Sequence, residues 1–370
     1  MGCFKGWIYF LLWYSSILAG YAGLFCPLFP VLLLSNKLYR YLADILFTFW
    51  QSYPTALLEL LCGCDVQILG DPIEANEVSL LVMNHRTRTD WNFLWPAVYH
   101  CTRGPTRYKH PTKFVLKDII RHLPGIGWVM QLACFLYIKR AWIHDKKKIQ
   151  GLIDYFCGIS YKYSLLLFPE GTDFTNSTRE NSNKYAEKNN LQEYEHVLHP
   201  RTTGFVFLTQ KLMQRKALDA IYDLTLVYPD TVPQTEKILF NDGNFPQQVK
   251  MHFTRYPVGV LPKTEDELKR FLETRWLEKE KVIKEFHATG HFLHGEILRR
   301  PKISELYISM IFWTLLPYVV LYFLYTYFWF QCIVIGHTLL LLFINYVMGG
   351  FPELEIGLYN FKKKLFSNPW

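Results

Sequence analysis

The sequence predicts an α/β domain anchored in a membrane: a mostly apolar sheet covered by helices, with N-terminal membrane helices and a C-terminal transmembrane hairpin. Three observations predict it. Two long regions, Trp7 to Leu34 and Leu306 to Met348, carry no charge at all. Between them, short apolar runs bounded by turn residues alternate with longer runs of helical spacing, the pattern of a sheet covered on both faces. Half of the 370 residues are hydrophobic and 17% aromatic, too apolar for an ordinary soluble domain.

Trp7 to Leu34 exceeds the ~20 residues needed to cross a bilayer. A signal peptide has a shorter apolar core and a small-residue cleavage site, whereas "LSNKLYRY" follows here, so the segment is retained. The start "MGCFKG" has Gly6 where a myristoylation site needs Ser or Thr, which excludes that anchor. Leu42 to Leu61 is apolar but interrupted by Asp44, Gln51, Pro54 and Glu59; it is expected to lie in the interface, or to pack partly against the first helix, rather than to cross. In the middle of the chain, strands are expected at Ser79–Asn84, Leu165–Phe168, Gly204–Leu208 and Ile221–Tyr228. Helices are expected at Asp90–His100, Thr112–His122, Ile143–Tyr155 and Glu265–Ala288. Phe174 to Leu198, rich in Asn, Ser and Lys, reads as a long loop, either a mobile cover over a site or plain surface. Leu306 to Met348 is about twice one span and fits two helices joined by a tight hairpin near Gln331 and Cys332. The resulting organisation is 1–72 for the N-terminal span and interfacial helix, 73–300 for the catalytic domain, and 301–370 for the hairpin and a basic tail.

The net charge of +8 is concentrated. Arg103, Arg107, Lys109, Lys113, Lys117 and Arg121 are followed by Lys139, Arg140 and Lys146 to Lys148. No nucleic-acid-binding motif accompanies them. Beside membrane spans, anionic lipid headgroups or a phosphate-bearing cofactor are the expected partners, with a solvated basic face as the alternative. The eight cysteines lie mostly in apolar surroundings without zinc spacing, so they read as small buried hydrophobes and no metal site is expected. A serine hydrolase is excluded by the absence of a GxSxG elbow.

The chemistry is expected at the carboxyl ends of the strands. "NHRTRTDW" (84–91) places His85 on the loop after one strand and Asp90 at the start of the next helix. On one continuous helix a five-residue step would set them about 140° apart. Across a strand-to-helix turn they can converge, with Asp90 accepting from one imidazole nitrogen and the other left as a base. The alternative is Asp90 as a plain N-cap and His85 as a turn residue. "LLLFPEGTD" (165–173) is a second strand ending in Pro169, Glu170 and Gly171, a tight turn that gathers a carboxylate and backbone N–H groups. Between the two motifs "FLYIKR" ends in Arg140, a planar permanent cation suited to phosphate.

HxxxxD at His85 and Asp90, Arg140 after an apolar strand, "FPEGT", and "VYP" at Val227–Pro229 occur in the order of the glycerolipid acyltransferase family, which includes the 1-acylglycerol-3-phosphate acyltransferases. With "LHPRTTGF" and the C-terminal apolar pair, the chain is most similar to the lysocardiolipin acyltransferase branch, over nearly its whole length. The resemblance implies a membrane-bound, multi-pass O-acyltransferase of the endoplasmic reticulum. Lys37 and Arg40 close behind the first span, against Lys5 before it, put the catalytic domain on the cytosolic side if Leu42–Leu61 stays in the interface. A crossing by that segment would reverse it. Such an enzyme would need no cofactor or metal, taking acyl-CoA as co-substrate. The acceptor would be lysocardiolipin, lysophosphatidylinositol, lysophosphatidylglycerol or lysophosphatidic acid, and a CoA-independent transacylase is the rival. It further implies that His85 is the base and Asp90 its orienting partner. Arg140, with Glu170, Gly171 and Thr172 of the turn, would hold the acceptor's phosphate, Glu170 by orienting Arg140 or another donor. Lys117 would meet a phosphate of either substrate. Where the family often has glycine, six residues before the arginine, this chain has Cys134.

Overall fold

The computed structural model describes residues 2–367. Among the described residues nine strands form: β1 (Asp65–Gly70), β2 (Ile73–Glu74), β3 (Ser79–Met83), β4 (Thr102–Arg103), β5 (Thr112–Lys117), β6 (Leu136–Ile138), β7 (Ser164–Leu167), β8 (Ala220–Val227) and β9 (Gln248–Pro257). Seven make one sheet in the order β1-β9-β8-β3-β7-β5-β6, and β2 pairs only with β4. From β8 to β6 all neighbours are parallel; β9 runs antiparallel to β8, with β1 parallel to β9. Every residue of β3, β7 and β8 is buried, which is why these strands read as mostly apolar runs; the exceptions in β8 are Asp223, paired with Lys279, and Thr225. Their registers align Val82 with both Leu167 and Asp223, so the three strands leave the sheet at one carboxyl edge. The His85 loop, the FPEGT turn and Tyr228 are therefore neighbours.

Three expected elements differ. Gly204–Leu208 belongs to the helix Thr202–Gln214, whose buried residues Phe205, Val206, Leu208, Thr209 and Leu212 follow helical spacing; a five-residue apolar run does not distinguish strand from helix. Thr112–His122 is not a helix but β5 followed by a short 3₁₀ turn, Asp118–His122, because Thr112 to Phe114 are needed to pair with β7. The Asn- and Ser-rich stretch after FPEGT contains the helix Asn176–Lys188, started by a capping box in which Thr175 and Thr178 satisfy each other's backbone N–H groups. Strands β1, β6 and β9 supplement those expected, and β1 precedes residue 72.

Helices Gly2–Leu34, Ile303–Thr326 and Phe328–Val347 are each long and apolar enough to cross a membrane. The first contains a π-helical turn at Tyr21–Phe25 ahead of Pro27 and Pro30. The other two meet at Tyr327, and Gln331 lies inside the second, donating to the Leu324 carbonyl at 2.7 Å.

The helix Asn36–Ala56 does more than rest on an interface. Its Asp44 and the Lys113 of β5 form an ion pair at 3.0 Å, each 1% exposed. One turn earlier Arg40 meets Glu355 at 2.7 Å, equally buried. Glu355 comes from the helix Phe351–Ser367, and the Tyr155 hydroxyl donates to it. The expected outward-facing basic cluster is thus partly internal: Lys113 is sealed, Arg107 pairs with Glu305 at 2.6 Å, and Arg121 pairs with Asp118 while donating to the Gly349 carbonyl. These residues are spent on holding membrane segments to the sheet.

Removing one partner of a buried pair leaves an uncompensated charge and typically costs ~3–5 kcal/mol, whereas replacing both by apolar groups is often neutral. Lys113→Met is therefore expected to lower the thermal unfolding midpoint of detergent-solubilised protein sharply. The double variant Asp44→Leu/Lys113→Met is expected to recover most of the loss; no recovery would show that the pair itself is indispensable.

Candidate active site

The site is assembled at the carboxyl ends of β3, β7 and β8. Asn84 fastens the first exit, its side chain exchanging two hydrogen bonds with the backbone of Leu226 on β8, at 2.8 and 3.1 Å. The chain then turns through His85 to Thr89, and the helix Asp90–Cys101 begins. Asp90 is fully buried. Its Oδ2 accepts from His85 Nδ1 at 3.0 Å and from the Thr87 N–H at 3.0 Å. Its Oδ1 accepts from the Thr87 hydroxyl and the Tyr228 hydroxyl, each at 2.8 Å. Four donors on one buried carboxylate fix both the group and the imidazole it holds.

Because Nδ1 is turned to Asp90, Nε2 is the nitrogen available to a substrate proton. The ring stacks on Phe168, the first residue of FPEGT, with centroids 4.2 Å apart. Its side chain keeps 21% exposure, enough for access from outside. Burial works against the imidazolium, but the hydrogen bond and charge of Asp90, with Glu170 and Asp173 further off, outweigh it and raise the pKa above the ordinary histidine value.

The FPEGT turn is closed by the Gly171 N–H donating to the Phe168 carbonyl at 2.9 Å, and Gly171 has φ +73°, open to glycine at no steric cost. The Phe174 N–H donates to the His85 carbonyl at 2.8 Å, which locks the turn to the dyad's loop. Glu170 points inward. It is buried, and its Oε1 accepts from the Trp276 indole N–H at 3.1 Å. Burial pushes its pKa up to about 7, against the stabilising effects of Trp276 and of the His85 side chain and amide. It orients no arginine: Arg140 is exposed and instead donates to the Gly171 carbonyl. Arg140 itself has φ +61° and Cys134 has φ +60°. The place where the family often has glycine is thus a left-handed residue, which glycine adopts more readily than cysteine. Thr172 donates to its neighbour Asp173 at 3.3 Å. Lys117 is exposed at the end of β5, two strands from β3, and is not brought to the dyad.

Several contributors carry little sequence signal. Tyr228 lies in the "VYP" motif, but its bond to Asp90 depends on the alignment of β3 with β8 and is not visible in the sequence. Trp276 lies more than 100 residues from Glu170, on the helix Glu265–Thr289, spaced like any core residue. Arg86 sits beside His85, over Phe174 at 5.1 Å, with Gln234 Oε1 3.3 Å away. Burial holds its pKa below the usual arginine value.

The structure is a mixed α/β fold with three apolar helices, and a histidine–aspartate pair stands at the carboxyl ends of its central strands. The chain belongs to the acyltransferase family: residues 65–229 match the model of the Acyltransferase domain, and residues 240–313 that of the Acyltransferase C-terminus. It is 38% identical over 346 residues to lysocardiolipin acyltransferase 1 of Gallus gallus, covering 91% of this chain and 90% of that one. With lysocardiolipin acyltransferase 1 of Mus musculus it shares 37% identity over 373 residues, 98% and 97% of the two chains. Lysophosphatidylinositol acyltransferase 10 of Caenorhabditis elegans is 37% identical over 253 residues, 68% of this chain and 64% of that one. Among solved structures, the 1-acyl-sn-glycerophosphate acyltransferase PlsC of Thermotoga maritima aligns with a TM-score of 0.48 at 14% identity, over 78% of this chain and 98% of that one.

Proposed function

We propose that this enzyme moves an acyl group from acyl-CoA to the free hydroxyl of a lysophospholipid, in phospholipid synthesis or remodelling. The observation that carries the reading is the buried, four-donor Asp90 holding His85 by Nδ1. In this reading His85 Nε2 takes the proton of the acceptor hydroxyl as its oxygen attacks the thioester carbonyl. The imidazolium that forms is stabilised by Asp90. The C–S bond then breaks, and the proton passes from His85 to the leaving thiolate, giving an ester and free CoA. No cofactor or metal takes part. Arg140 and the Gly171–Thr172 turn hold the acceptor's phosphate. Glu170 holds the turn in place through Trp276, and Lys117 is assigned to a phosphate of either substrate. With Lys113 and Arg121 engaged internally, exposed Lys117, Lys139, Lys146 and Lys147 are basic residues that suit the phosphates of CoA. The named relatives act on lysocardiolipin and lysophosphatidylinositol, and we take these as the leading acceptors.

We place the enzyme in the endoplasmic reticulum membrane with its catalytic part toward the cytosol, where acyl-CoA is made available. Only Lys5 precedes the first span, while Lys37 and Arg40 follow it, the bias expected of a cytosolic flank. The Arg40–Glu355 pair also supports one shared side for the residues after the first span and those after the hairpin.

Two measurements test these readings. Purified protein supplied with one labelled acyl-CoA and a panel of lysophospholipids is expected to yield labelled phospholipid, identified by mass. His85→Ala is expected to reduce transfer ~10²–10⁴-fold in folded protein, with Asp90→Asn costing somewhat less. Near-normal turnover in His85→Ala would overturn the mechanism. For sidedness, Asn176-Ser177-Thr178 is a glycosylation sequon whose asparagine is exposed. In a glycosylating cell it is expected to stay bare. An endoglycosidase-sensitive mobility shift that disappears in Asn176→Gln would place the site in the lumen.

A further inference from the structure

We propose that Arg201 is a second guanidinium of the acceptor's phosphate site, converging with Arg140 on Gly171. The inference rests on the acyltransfer reading above. It begins with the "HPRTTGF" segment, which that mechanism leaves without a role. Arg201 directly precedes the helix Thr202–Gln214, and its N–H donates to the Pro169 carbonyl at 2.8 Å, tying it to the FPEGT turn. Its side chain lies along the glycine: a Cβ added at Gly171 would stand 3.4 Å from Arg201 Cδ and Nε and 3.6 Å from Cζ. Arg140 reaches the same residue, donating to the Gly171 carbonyl. Two cations from separate parts of the chain thus meet at one turn beside the dyad.

Neither cation is neutralised. Arg40, Arg255 and Arg300 each have a carboxylate partner, whereas among the described residues neither Arg140 nor Arg201 has one within 4.0 Å. The turn's own acids are engaged elsewhere, Glu170 inward on Trp276 and Asp173 on the Thr172 hydroxyl. Two exposed arginines brought to one residue add like charge there and would ordinarily be separated or paired. Their convergence on a glycine that leaves the space open is the arrangement that a phosphate satisfies, since each planar fork can take two of its oxygens. Because the turn is locked to the His85 loop through Phe174, a phosphate held there sets the distance from the acceptor's hydroxyl to Nε2. The anion is therefore assigned to the acceptor and not to CoA.

The test is steady-state kinetics of Arg201→Ala and Arg201→Lys, with each substrate varied in turn and folding checked by thermal melt. Loss of a charge-assisted fork is expected to raise the acceptor KM about ten- to a hundredfold while that of acyl-CoA stays the same. Arg201→Lys is expected to recover part of the loss, as it restores the charge without the fork. If Arg201→Ala does not fold, Arg201→Lys alone is read by its preference for lysophosphatidic acid over phosphate-free monoacylglycerol, which is expected to fall. An unchanged acceptor KM, an unchanged preference, or a rise confined to acyl-CoA would overturn the assignment. These failures differ from failure of the acyltransfer reading, in which the wild-type protein itself would acylate no lysophospholipid.

Discussion

The carboxylate of Asp90 is the constraint on which the site depends. A fully buried carboxylate needs donors, and this one takes four, drawn from the loop after β3 and from the exit of β8. A single donor group out of place would expose the charge to an apolar interior, at a cost of several kcal/mol. The imidazole orientation, the strand register and the beginning of the helix Asp90–Cys101 are therefore fixed together. Phe168 stacked on His85 and Phe174 bonded to its carbonyl extend the same constraint to the FPEGT turn. The His85 loop and the FPEGT turn are thereby tied to each other, and in the reaction proposed above this tie sets where the acceptor hydroxyl meets Nε2.

A second constraint joins this unit to the membrane segments. The pairs Asp44–Lys113 and Arg40–Glu355 are almost completely withdrawn from solvent, and they connect a helix after the first span, a strand of the sheet and the helix after the hairpin. Ion pairs in such a place hold strongly to one geometry because a mismatched arrangement leaves charges bare. The helices that follow the first and the last apolar segments are thus fastened to the sheet and to each other.

The sequence disclosed most where a local pattern carries its own physics. The mostly apolar runs of β3, β7 and β8 gave themselves away because both faces of those strands are buried. His85, Asp90, Glu170 and Gly171 were legible because a strand end followed by a polar cluster is where chemistry collects. What stayed hidden was decided by long-range packing. Gly204–Leu208 has the composition of a strand and the burial of a helix, and Lys113 looks like a surface cation until Asp44 is seen opposite it. Glu170 was expected to orient Arg140 or another donor; the donor it meets is the indole of Trp276, more than 100 residues away. Tyr228 on Asp90 and Arg201 on Gly171 likewise depend on which strands and loops become neighbours, which no short window reveals.

The central claim is that His85 acts as a base whose neutral form is the working one and whose pKa the Asp90 bond raises. A base with a raised pKa is charged, and idle, below that pKa, so the rate is lost as the pH falls through it. The most direct measurement is kcat/KM of the wild-type enzyme as a function of pH in one detergent or vesicle system. A single acid limb with an apparent pKa above the ordinary ~6.5 of histidine is expected, moving to lower pH in Asp90→Asn. A profile that is flat across this range, or one that rises as the pH falls, would contradict the account.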